Sequence, residues 1–356
     1  MKDLGSALAP KLAAPQHRPR PLPLFLELLR SETAASPERM QRALEGLRRY
    51  QEAEREPPGE PMPAVAEANG ALLRDYGGSG APLVFIPSLI NPPTVLDLAA
   101  DNSLLRWLSR QGHRPLLLDW GWPDQARSSL SVAGHIEEIA LPLTRSLGEP
   151  PALVGYCLGG TMALAAAQLT QVRRVATIAA PWHFSGFPDE ARTMLGDLWR
   201  QARPTVEQLG VLPMELLQSA FWSLDPARTV TKFERFAGMV GEEALSFVRL
   251  EDWANDGPPV PAGAARELFE DLFAADLTGS GVWRVGGELV DPAALRCPLL
   301  NIVSTVDRIV PQASAPPAGE RLELGLGHVG MVVGGRGRAA LWEPLSAWLG
   351  RAAPSC

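Results

Sequence analysis

The sequence predicts an α/β fold built on a mostly parallel sheet, with a helical segment inserted into it. From about Ala71 onward, short apolar runs alternate with stretches of helical composition, the order typical of parallel sheets. The runs are continuously apolar, as expected of strands that are buried on both faces. The candidate strands are residues 83–87, 115–120, 152–156, 174–179, 299–303 and 321–324.

The chain becomes helical and aromatic over about residues 184–277, between the fourth and fifth candidate strands. This stretch is too long for a crossover between strands, so we predict a helical cap inserted into the sheet. Its large aromatic residues include Trp199, Phe221, Trp222, Phe233, Phe236 and Trp253. A cap could exclude water from a site, although each of these aromatic residues could equally belong to the core.

The N-terminal region, residues 1–68, is predicted to be a proline-rich arm, a helix and a linker, ahead of a catalytic domain over residues 69–356. Prolines cluster within residues 10–23, which favours an extended arm. Ser36 is a good N-cap and Pro37 suits the first helical position, so a helix is predicted to begin there. The region either binds a partner or packs on the main domain.

Composition narrows the class of protein. The 356 residues are 46% hydrophobic and 21% charged, as in soluble globular proteins. The net charge of -7 disfavours non-specific binding to nucleic acid or anionic lipid. Cys157, Cys297 and Cys356 have neither metal-site spacing nor an even number for disulfides, which favours the cytoplasm. The sequence has no signal-like start and no run long enough to cross a bilayer.

The segment Gly155-Tyr-Cys-Leu-Gly-Gly has the pattern of a nucleophile elbow. An apolar strand precedes it and a helical stretch follows, and glycines on both sides permit a strained, closely packed turn. Cysteine stands where a hydrolase usually has serine. A thiolate is a good nucleophile near neutral pH and exchanges acyl groups with thioesters, so the elbow indicates acyl transfer by Cys157.

A nucleophilic cysteine needs a base, and the base needs an orienting carboxylate. The histidines are His17, His113, His135, His183 and His328. His328 is the best candidate because it lies in a glycine-rich loop after the last predicted strand, where α/β-hydrolases carry their histidine. Asp307 follows the preceding strand and completes the order nucleophile, acid, histidine. His183 also follows a strand and remains a possible neighbour of the site.

An oxyanion hole requires backbone N–H donors near the elbow. The N–H of Leu158, directly after the nucleophile, is expected to supply one. The second is expected from the loop after the first candidate strand, in Ser88-Leu-Ile-Asn-Pro-Pro. Leu89 and Ile90 are both candidates, and the sequence does not separate them.

These motifs together resemble the polyhydroxyalkanoate synthases, which carry a G-x-C-x-G-G box on an α/β-hydrolase fold. The resemblance runs from about Leu83 to Trp348 and ends with the Gly-His of the late loop. The further matching segments are Ile86-Pro-Ser-Leu-Ile-Asn-Pro, Val95-Leu-Asp-Leu, Leu118-Asp-Trp-Gly-Trp-Pro, Trp253-Ala-Asn-Asp-Gly, Leu277-Thr-Gly-Ser-Gly-Val-Trp-Arg-Val-Gly-Gly and Val306-Asp-Arg-Ile-Val-Pro. The length resembles the short synthases that work with a second, non-catalytic subunit.

The resemblance implies a polymerising acyltransferase. Cys157 would carry the growing polyester as a thioester, and His328 would deprotonate Cys157 and the hydroxyl of the incoming 3-hydroxyacyl-CoA. Asp307 would support hydroxyl activation or orient the histidine. No metal or redox cofactor is implied, and coenzyme A leaves as a product. A second synthase subunit or a homodimer is the expected assembly, in the cytoplasm or on the surface of a polyester granule.

Two other functions remain as alternatives. A cysteine-dependent esterase, thioesterase or depolymerase would use the same elbow, and an open, wet cap would favour it. A non-catalytic member associated with granules would not need an intact triad, and only the N-terminal arm argues for it. Cysteine in place of serine favours synthesis, because an acyl-thioester can wait for a hydroxyl group rather than be lost to water.

Overall fold

The computed structural model describes residues 18–55 and 59–352. Their main feature is an eight-stranded sheet with the order β1-β2-β4-β3-β5-β6-β7-β8. Its strands are β1 Ala64–Ala68, β2 Ala71–Asp75, β3 Pro82–Ile86, β4 Arg114–Asp119, β5 Ala152–Tyr156, β6 Arg174–Ile178, β7 Leu299–Ser304 and β8 Glu320–Leu324. Two short antiparallel pairs join Val211–Leu212 to Val260–Pro261 and Arg284–Val285 to Glu288–Leu289.

The helices flank these strands along the chain. They are α1 Leu22–Glu32, α2 Pro37–Glu52, α3 Leu104–Arg110, α4 Val132–His135, α5 Leu141–Arg145, α6 Leu158–Leu169, α7 Asp189–Leu209, α8 Met214–Leu224, α9 Pro226–Phe236, α10 Gly241–Ala254, α11 Ala262–Arg266, α12 Gly330–Val333 and α13 Glu343–Leu349. Segments of π-helix extend three of them at Ile136–Ala140, Glu267–Ala274 and Arg338–Trp342. Single 3-10 turns lie at Pro93–Leu96, Ala126–Ser129, Phe184–Gly186, Pro292–Ala294 and Gln312–Ser314.

All six predicted strands are present, as β3 to β8, and they pair in parallel. The prediction missed β1 and β2, which pair antiparallel at the edge next to β4. β1 is mostly exposed and β2 is buried only in part, so neither has the continuous apolar run of a central strand. Because β3 to β8 run in one direction, the loops after them emerge at the same edge of the sheet.

The chain folds into two compact units. One consists of the described residues up to Gly59 together with Phe221–Asn255, and the other of Glu60–Ala220 and the chain from Asp256 onward. The sheet lies in the second unit. The predicted boundary at residues 68/69 and the predicted cap over residues 184–277 remain predictions. Helices α7 to α11 lie within that stretch.

The first unit is helical and has its own apolar core. That core contains Phe25, Leu29, Ala43, Leu47, Tyr50, Trp222, Val230, Phe233, Phe236 and Val248. Polar contacts also join its two segments, since Arg39 pairs with Glu234 and the Tyr50 hydroxyl donates to Asp252. The aromatic residues Trp222, Phe233 and Phe236, noted in the sequence, are therefore core residues of this unit.

The N-terminal predictions have a mixed outcome. Helix α2 begins at Pro37, and the Ser36 hydroxyl accepts the N–H of Arg39, as predicted. The extended arm predicted over residues 10–23 is wrong at its end, because α1 begins at Leu22 and includes Pro23. Proline is tolerated in the first turn of a helix, where its missing N–H would have no helical acceptor. The rest of the arm before Arg18 lies outside the described residues.

Candidate active site

The nucleophile elbow lies between β5, which ends at Tyr156, and α6, which begins at Leu158. Cys157 between them has φ 56° and ψ -131°, a conformation that residues with side chains rarely adopt. Its N–H donates to the Ile178 carbonyl of β6 at 2.9 Å, which ties the turn to the neighbouring strand. The Cys157 side chain is partly exposed, so a substrate can reach the thiol.

Glycines allow this turn to pack against its surroundings. A Cβ added at Gly155 would clash with the backbone of Gly159 and Gly160, across the turn. One added at Gly159 would clash with the backbone of Ile86 and Pro87, and one at Gly160 with the side chain of Ala180. The three glycines therefore let α6 begin close to both neighbouring loops, as the sequence pattern predicted.

Asp307 and His328 are brought together at the same edge of the sheet. Asp307 follows β7 and His328 lies in the loop after β8, and the His328 Nδ1 is 2.6 Å from the Asp307 Oδ2. The other carboxylate oxygen, Oδ1, accepts the N–H groups of Ile309 at 2.7 Å and Val310 at 3.1 Å. Both oxygens of this buried carboxylate thus have fixed donors, so its orientation is well defined.

The structure also brings His328 to Cys157. Burial of the imidazole acts to lower its pKa, but the negative charges of Cys157 and Asp307, with hydrogen bonds to both side chains, raise the pKa of His328 to about 10. Because Nδ1 faces Asp307, the Nε2 atom is the one left for the sulfur. The raised pKa favours the imidazolium form of His328 at neutral pH, and an imidazolium next to a cysteine is the arrangement of a reactive thiol.

Tyr156 also contacts the histidine, and the sequence reasoning missed it. Its ring stacks on the His328 imidazole with centroids 5.1 Å apart and planes inclined by 30°. Its hydroxyl donates to the His328 carbonyl oxygen at 3.2 Å. Burial and the negative charges of Cys157 and Asp307 raise the pKa of Tyr156 well above its ordinary value, so the hydroxyl keeps its proton. Its position inside the elbow motif was the only signal in the sequence.

The loop after β3 carries the candidate oxyanion donors. The N–H of Ile90 donates to the Ser88 hydroxyl at 3.0 Å, whereas the N–H of Leu89 has no acceptor within the described part of the chain. Leu158 is the first residue of α6, so its N–H has no partner inside the helix. Of the two alternatives, Leu89 is thus the one with a free donor.

Trp120 holds the start of this loop by a hydrogen bond. Its indole N–H donates to the Pro87 carbonyl at 3.1 Å, two residues before Leu89. The buried Arg127 guanidinium in turn donates to the Trp120 carbonyl at 2.5 Å. Both residues belong to the chain that follows β4, where the sequence contains Leu118-Asp-Trp-Gly-Trp-Pro. This gives one of the motifs in the sequence a definite structural contact.

The other histidines have other neighbours. His113 precedes β4 and contacts the Ser346 hydroxyl at 2.9 Å. His135 is fully buried, and burial lowers its pKa to about 4. For His183, which remained a possible neighbour of the site, no hydrogen bond joins its side chain to another described residue, and its backbone N–H donates to Ser314. His17 lies outside the described residues.

Across residues 18–55 and 59–352, no group of three or more histidine, cysteine, aspartate or glutamate side chains is arranged to hold a metal ion. Over those same ranges, no helix combines the length and the apolar character that crossing a membrane would require.

No protein-family model matches the chain. Among curated proteins, it is 28% identical over 285 residues to the poly(3-hydroxyalkanoate) polymerase subunit PhaC of Haloferax mediterranei, covering 75% of this chain and 58% of that protein. The Haloarcula marismortui subunit is 26% identical, covering 80% of this chain and 63% of its own length. The Allochromatium vinosum subunit is 28% identical, with coverages of 75% and 80%. The chain is similar to the poly(3-hydroxyalkanoate) polymerases.

This similarity confirms the resemblance that the motifs predicted. The chain spans 58% of the length of the Haloferax mediterranei subunit and 63% of that of the Haloarcula marismortui subunit. The match to the Allochromatium vinosum subunit covers 80% of that shorter relative.

Solved structures confirm the α/β-hydrolase fold. An epoxide hydrolase from Bacillus megaterium superposes with a TM-score of 0.53 at 15% identity, covering 79% of this chain and 99% of that one. A carboxylesterase structure from the thaumarchaeon Nitrososphaera gargenis gives a TM-score of 0.50 at 15% identity, with coverages of 81% and 98%. At such low identity these likenesses concern the fold alone.

Proposed function

We propose that this protein is a polyhydroxyalkanoate synthase-type acyltransferase, which polymerises 3-hydroxyacyl-CoA through a thioester on Cys157 and releases coenzyme A. The observation that carries the proposal is the contact of Cys157 with His328 and of His328 with Asp307, on a chain similar to the polymerases. A cysteine in a strained elbow, next to a histidine that a carboxylate orients, has the parts that covalent acyl transfer needs.

The first step is the acylation of Cys157. His328 takes the thiol proton, and the thiolate attacks the thioester carbonyl of the 3-hydroxyacyl-CoA. The resulting oxyanion accepts hydrogen bonds from the N–H groups of Leu158 and Leu89, the free donors at the ends of β5 and β3. The bond to the coenzyme A sulfur then breaks. That sulfur takes the proton from His328, which leaves an acyl-thioester on Cys157 and free coenzyme A.

The second step forms the ester bond. The hydroxyl group of an incoming 3-hydroxyacyl-CoA attacks the acyl-thioester while His328 removes its proton. The carbon–sulfur bond to Cys157 breaks, and the sulfur recovers that proton, so the chain is now one unit longer and is attached to coenzyme A. Transfer of this longer acyl group back to Cys157, by a repeat of the first step, releases that coenzyme A.

The contacts of Asp307 favour the orienting role over direct activation of the hydroxyl group. One carboxylate oxygen lies 2.6 Å from the His328 Nδ1, and the other accepts two backbone N–H groups. Oδ1 is filled by its two backbone donors, and proton uptake at Oδ2 would remove the charge that stabilises the protonated His328. Asp307 therefore acts through the histidine, by fixing its tautomer and stabilising its charged form.

Synthesis and hydrolysis are distinguished by one assay. Purified protein is incubated with 3-hydroxybutyryl-CoA, and coenzyme A, free 3-hydroxybutyrate and polymer are measured together. We expect polymer and coenzyme A, with no activity in the Cys157→Ala variant. Free 3-hydroxybutyrate without polymer would contradict synthesis and indicate that the protein is a thioesterase. No product at all, even with longer acyl chains and an added synthase subunit, would favour a non-catalytic, granule-associated role.

The assembly, location and cofactor needs follow from the same proposal. We expect a homodimer or a complex with a second synthase subunit, in the cytoplasm or on the polyester granule that it makes. Because a thiolate, an imidazole and two N–H donors suffice for the steps above, no metal or redox cofactor is required. Polymerisation should therefore be unchanged in the presence of a chelator, and a loss of rate that added metal restores would contradict this part of the proposal.

A further inference from the structure

Tyr156 makes two separate contacts with one residue, His328. The ring stacks on the imidazole at a centroid distance of 5.1 Å, and the hydroxyl donates to the backbone carbonyl of the same histidine at 3.2 Å. The first contact restrains the plane of the imidazole, and the second restrains the loop that carries it. Tyr156 is 4% exposed, so neither contact competes with bulk water.

The loop that carries His328 is glycine-rich, and its backbone is held on either side of the histidine, where the Leu326 carbonyl accepts the Ser304 hydroxyl and the Gly327 carbonyl accepts the Met331 N–H. The glycines Gly325, Gly327 and Gly330 surround the histidine, and a Cβ added at any of them would meet nothing within 4 Å. Such glycines lower the cost of alternative backbone conformations without fixing the loop by close packing. The Asp307 contact holds only the Nδ1 edge of the ring. A further anchor is needed to keep the opposite edge directed at the sulfur.

We propose that Tyr156 is a positioning residue, which holds the imidazole of His328 within reach of the Cys157 sulfur. The inference rests on the proposed roles of Cys157 and His328 as nucleophile and base. Tyr156 directly precedes Cys157 in the chain, so the same rigid end of β5 carries the nucleophile and the anchor of its base. Movement of this strand end would shift both partners together and preserve their distance.

The test measures the alkylation of Cys157, which needs no acyl-CoA. Iodoacetamide is added to the full-length protein between pH 5 and pH 11, and the modified Cys157 peptide is quantified by mass spectrometry. The variants are Tyr156→Phe, which keeps the ring and removes the hydroxyl, and Tyr156→Leu, which removes both contacts. Tyr76→Phe is the matched control, because Tyr76 is also buried and its hydroxyl bonds to Asp97, away from the elbow.

We expect Tyr156→Phe to alkylate about fivefold more slowly than the unchanged protein at pH 7, the effect of one lost hydrogen bond. Tyr156→Leu should be slower by about 30-fold at pH 7, and the rise of its rate with pH should begin about one pH unit higher, because a displaced imidazole no longer takes up the thiol proton. Tyr76→Phe should keep both the rate and the pH profile, even if its melting temperature falls.

Two results would overturn the proposal. One is an alkylation profile in both Tyr156 variants that matches the unchanged protein, and the other is an equal change in Tyr76→Phe. If Tyr156→Leu does not fold, Tyr156→Phe alone decides between these outcomes. The assay is also independent of the polymerase proposal. A protein that makes no polymer but shows the expected alkylation profiles would retain the positioning role of Tyr156.

Discussion

Cys157 combines a reactive side chain with a backbone conformation that costs free energy. Its φ of 56° is maintained because its N–H is bonded to Ile178 and the glycines after it accept a close approach of neighbouring loops. The thiol is thereby held in a fixed position at the end of β5. The reactivity of Cys157 then depends on the position of His328 and on the charges around that histidine.

Asp307→Asn tests the orienting carboxylate. Asparagine keeps the shape but removes the charge that helps to raise the pKa of His328, and its amide can impose the wrong tautomer. The rate of coenzyme A release should fall by roughly 10³-fold to 10⁴-fold, with little change in KM. Asp291→Asn is the control, because Asp291 is exposed and asparagine also caps the turn that follows. Equal rates in the two variants would contradict the role of Asp307.

The raised pKa of His328 predicts a dependence of stability on pH. A histidine with a folded-state pKa of about 10, above its ordinary 6.5, adds stability that is fully present below about pH 6.5 and is lost as the pH rises to about 10. A tenfold difference in proton affinity between the folded and unfolded protein corresponds to about 1.4 kcal/mol of unfolding free energy. Urea denaturation of the unchanged protein and of His328→Gln should therefore converge toward alkaline pH. Parallel curves over this range would show that His328 is not stabilised as its charged form.

At the scale of secondary-structure elements, the junction of β5 with α6 sets the tolerance to substitution. Helix α6 begins against the end of β3, with the Gly159 backbone lying on the carbonyl groups of Ile86 and Pro87. These carbonyls belong to the strand end that leads into the oxyanion loop. The position of the helix and the position of the oxyanion donors are consequently coupled.

Gly159→Ala should shift both the start of helix α6 and the oxyanion donors. The added methyl group meets backbone rather than a flexible side chain, so the strand end and the helix must separate, at a cost of about 3 kcal/mol. The rate of coenzyme A release by Gly159→Ala should also fall, because the oxyanion donors move. Gly196→Ala is the matched control, because a Cβ there meets nothing within 4 Å in the long helix α7. That variant should gain about 0.5–1 kcal/mol. Similar melting temperatures for both variants would refute the close approach at Gly159.

Trp120→Phe should affect the oxyanion loop through its backbone. The change removes the indole N–H that donates to the Pro87 carbonyl but retains an aromatic ring. We expect a loss of about 1 kcal/mol in stability and a larger relative fall in kcat than in the affinity for substrate. Trp348→Phe loses a comparable bond, to Glu320, in helix α13. The Trp348→Phe variant should lose stability but keep its kcat. An equal loss of kcat in Trp348→Phe would contradict a specific role of Trp120 at the oxyanion loop.

At the scale of the whole molecule, one compact unit is built from two distant parts of the chain. The ring of Phe25 in α1 makes edge-on contacts with Trp222 and Phe233, at centroid distances of 5.7 Å and 4.8 Å. The N-terminal helices and the helices α9 and α10 therefore share a single core. Neither segment can bury its apolar face alone.

Phe25→Ala tests this shared core. Phe25 is fully buried, and its truncation should lower the unfolding free energy of the first unit by about 3–5 kcal/mol. Leu26→Ala, on the same helix, is the matched control because Leu26 is 41% exposed. Its cost should be within about 0.5 kcal/mol of zero. Both variants are compared by urea denaturation, and equal midpoints would show that α1 is not packed in this core.

The sequence was sufficient where a local pattern determines the structure. The continuously apolar strands β3 to β8 and the capped start of α2 were predicted, and so was the chain order that the structure brings together as Cys157, Asp307 and His328. It was insufficient where burial depends on distant residues. The strands β1 and β2 have weak apolar patterns, and the burial of His135 and the two contacts of Tyr156 arise only from tertiary packing. The choice between Leu89 and Ile90 depends on one hydrogen bond, from Ile90 to Ser88.

The two-segment core has a consequence for synthesis on the ribosome. Helices α1 and α2 emerge before Phe221–Asn255, which follows them only after roughly 160 further residues have been made. At about 5–20 residues per second, the apolar faces of the first two helices wait about 10 to 30 s for their partners. During that interval they are natural substrates for a chaperone bound to the nascent chain. The early helices thus make the yield of folded protein sensitive to the speed of translation between residues 59 and 221.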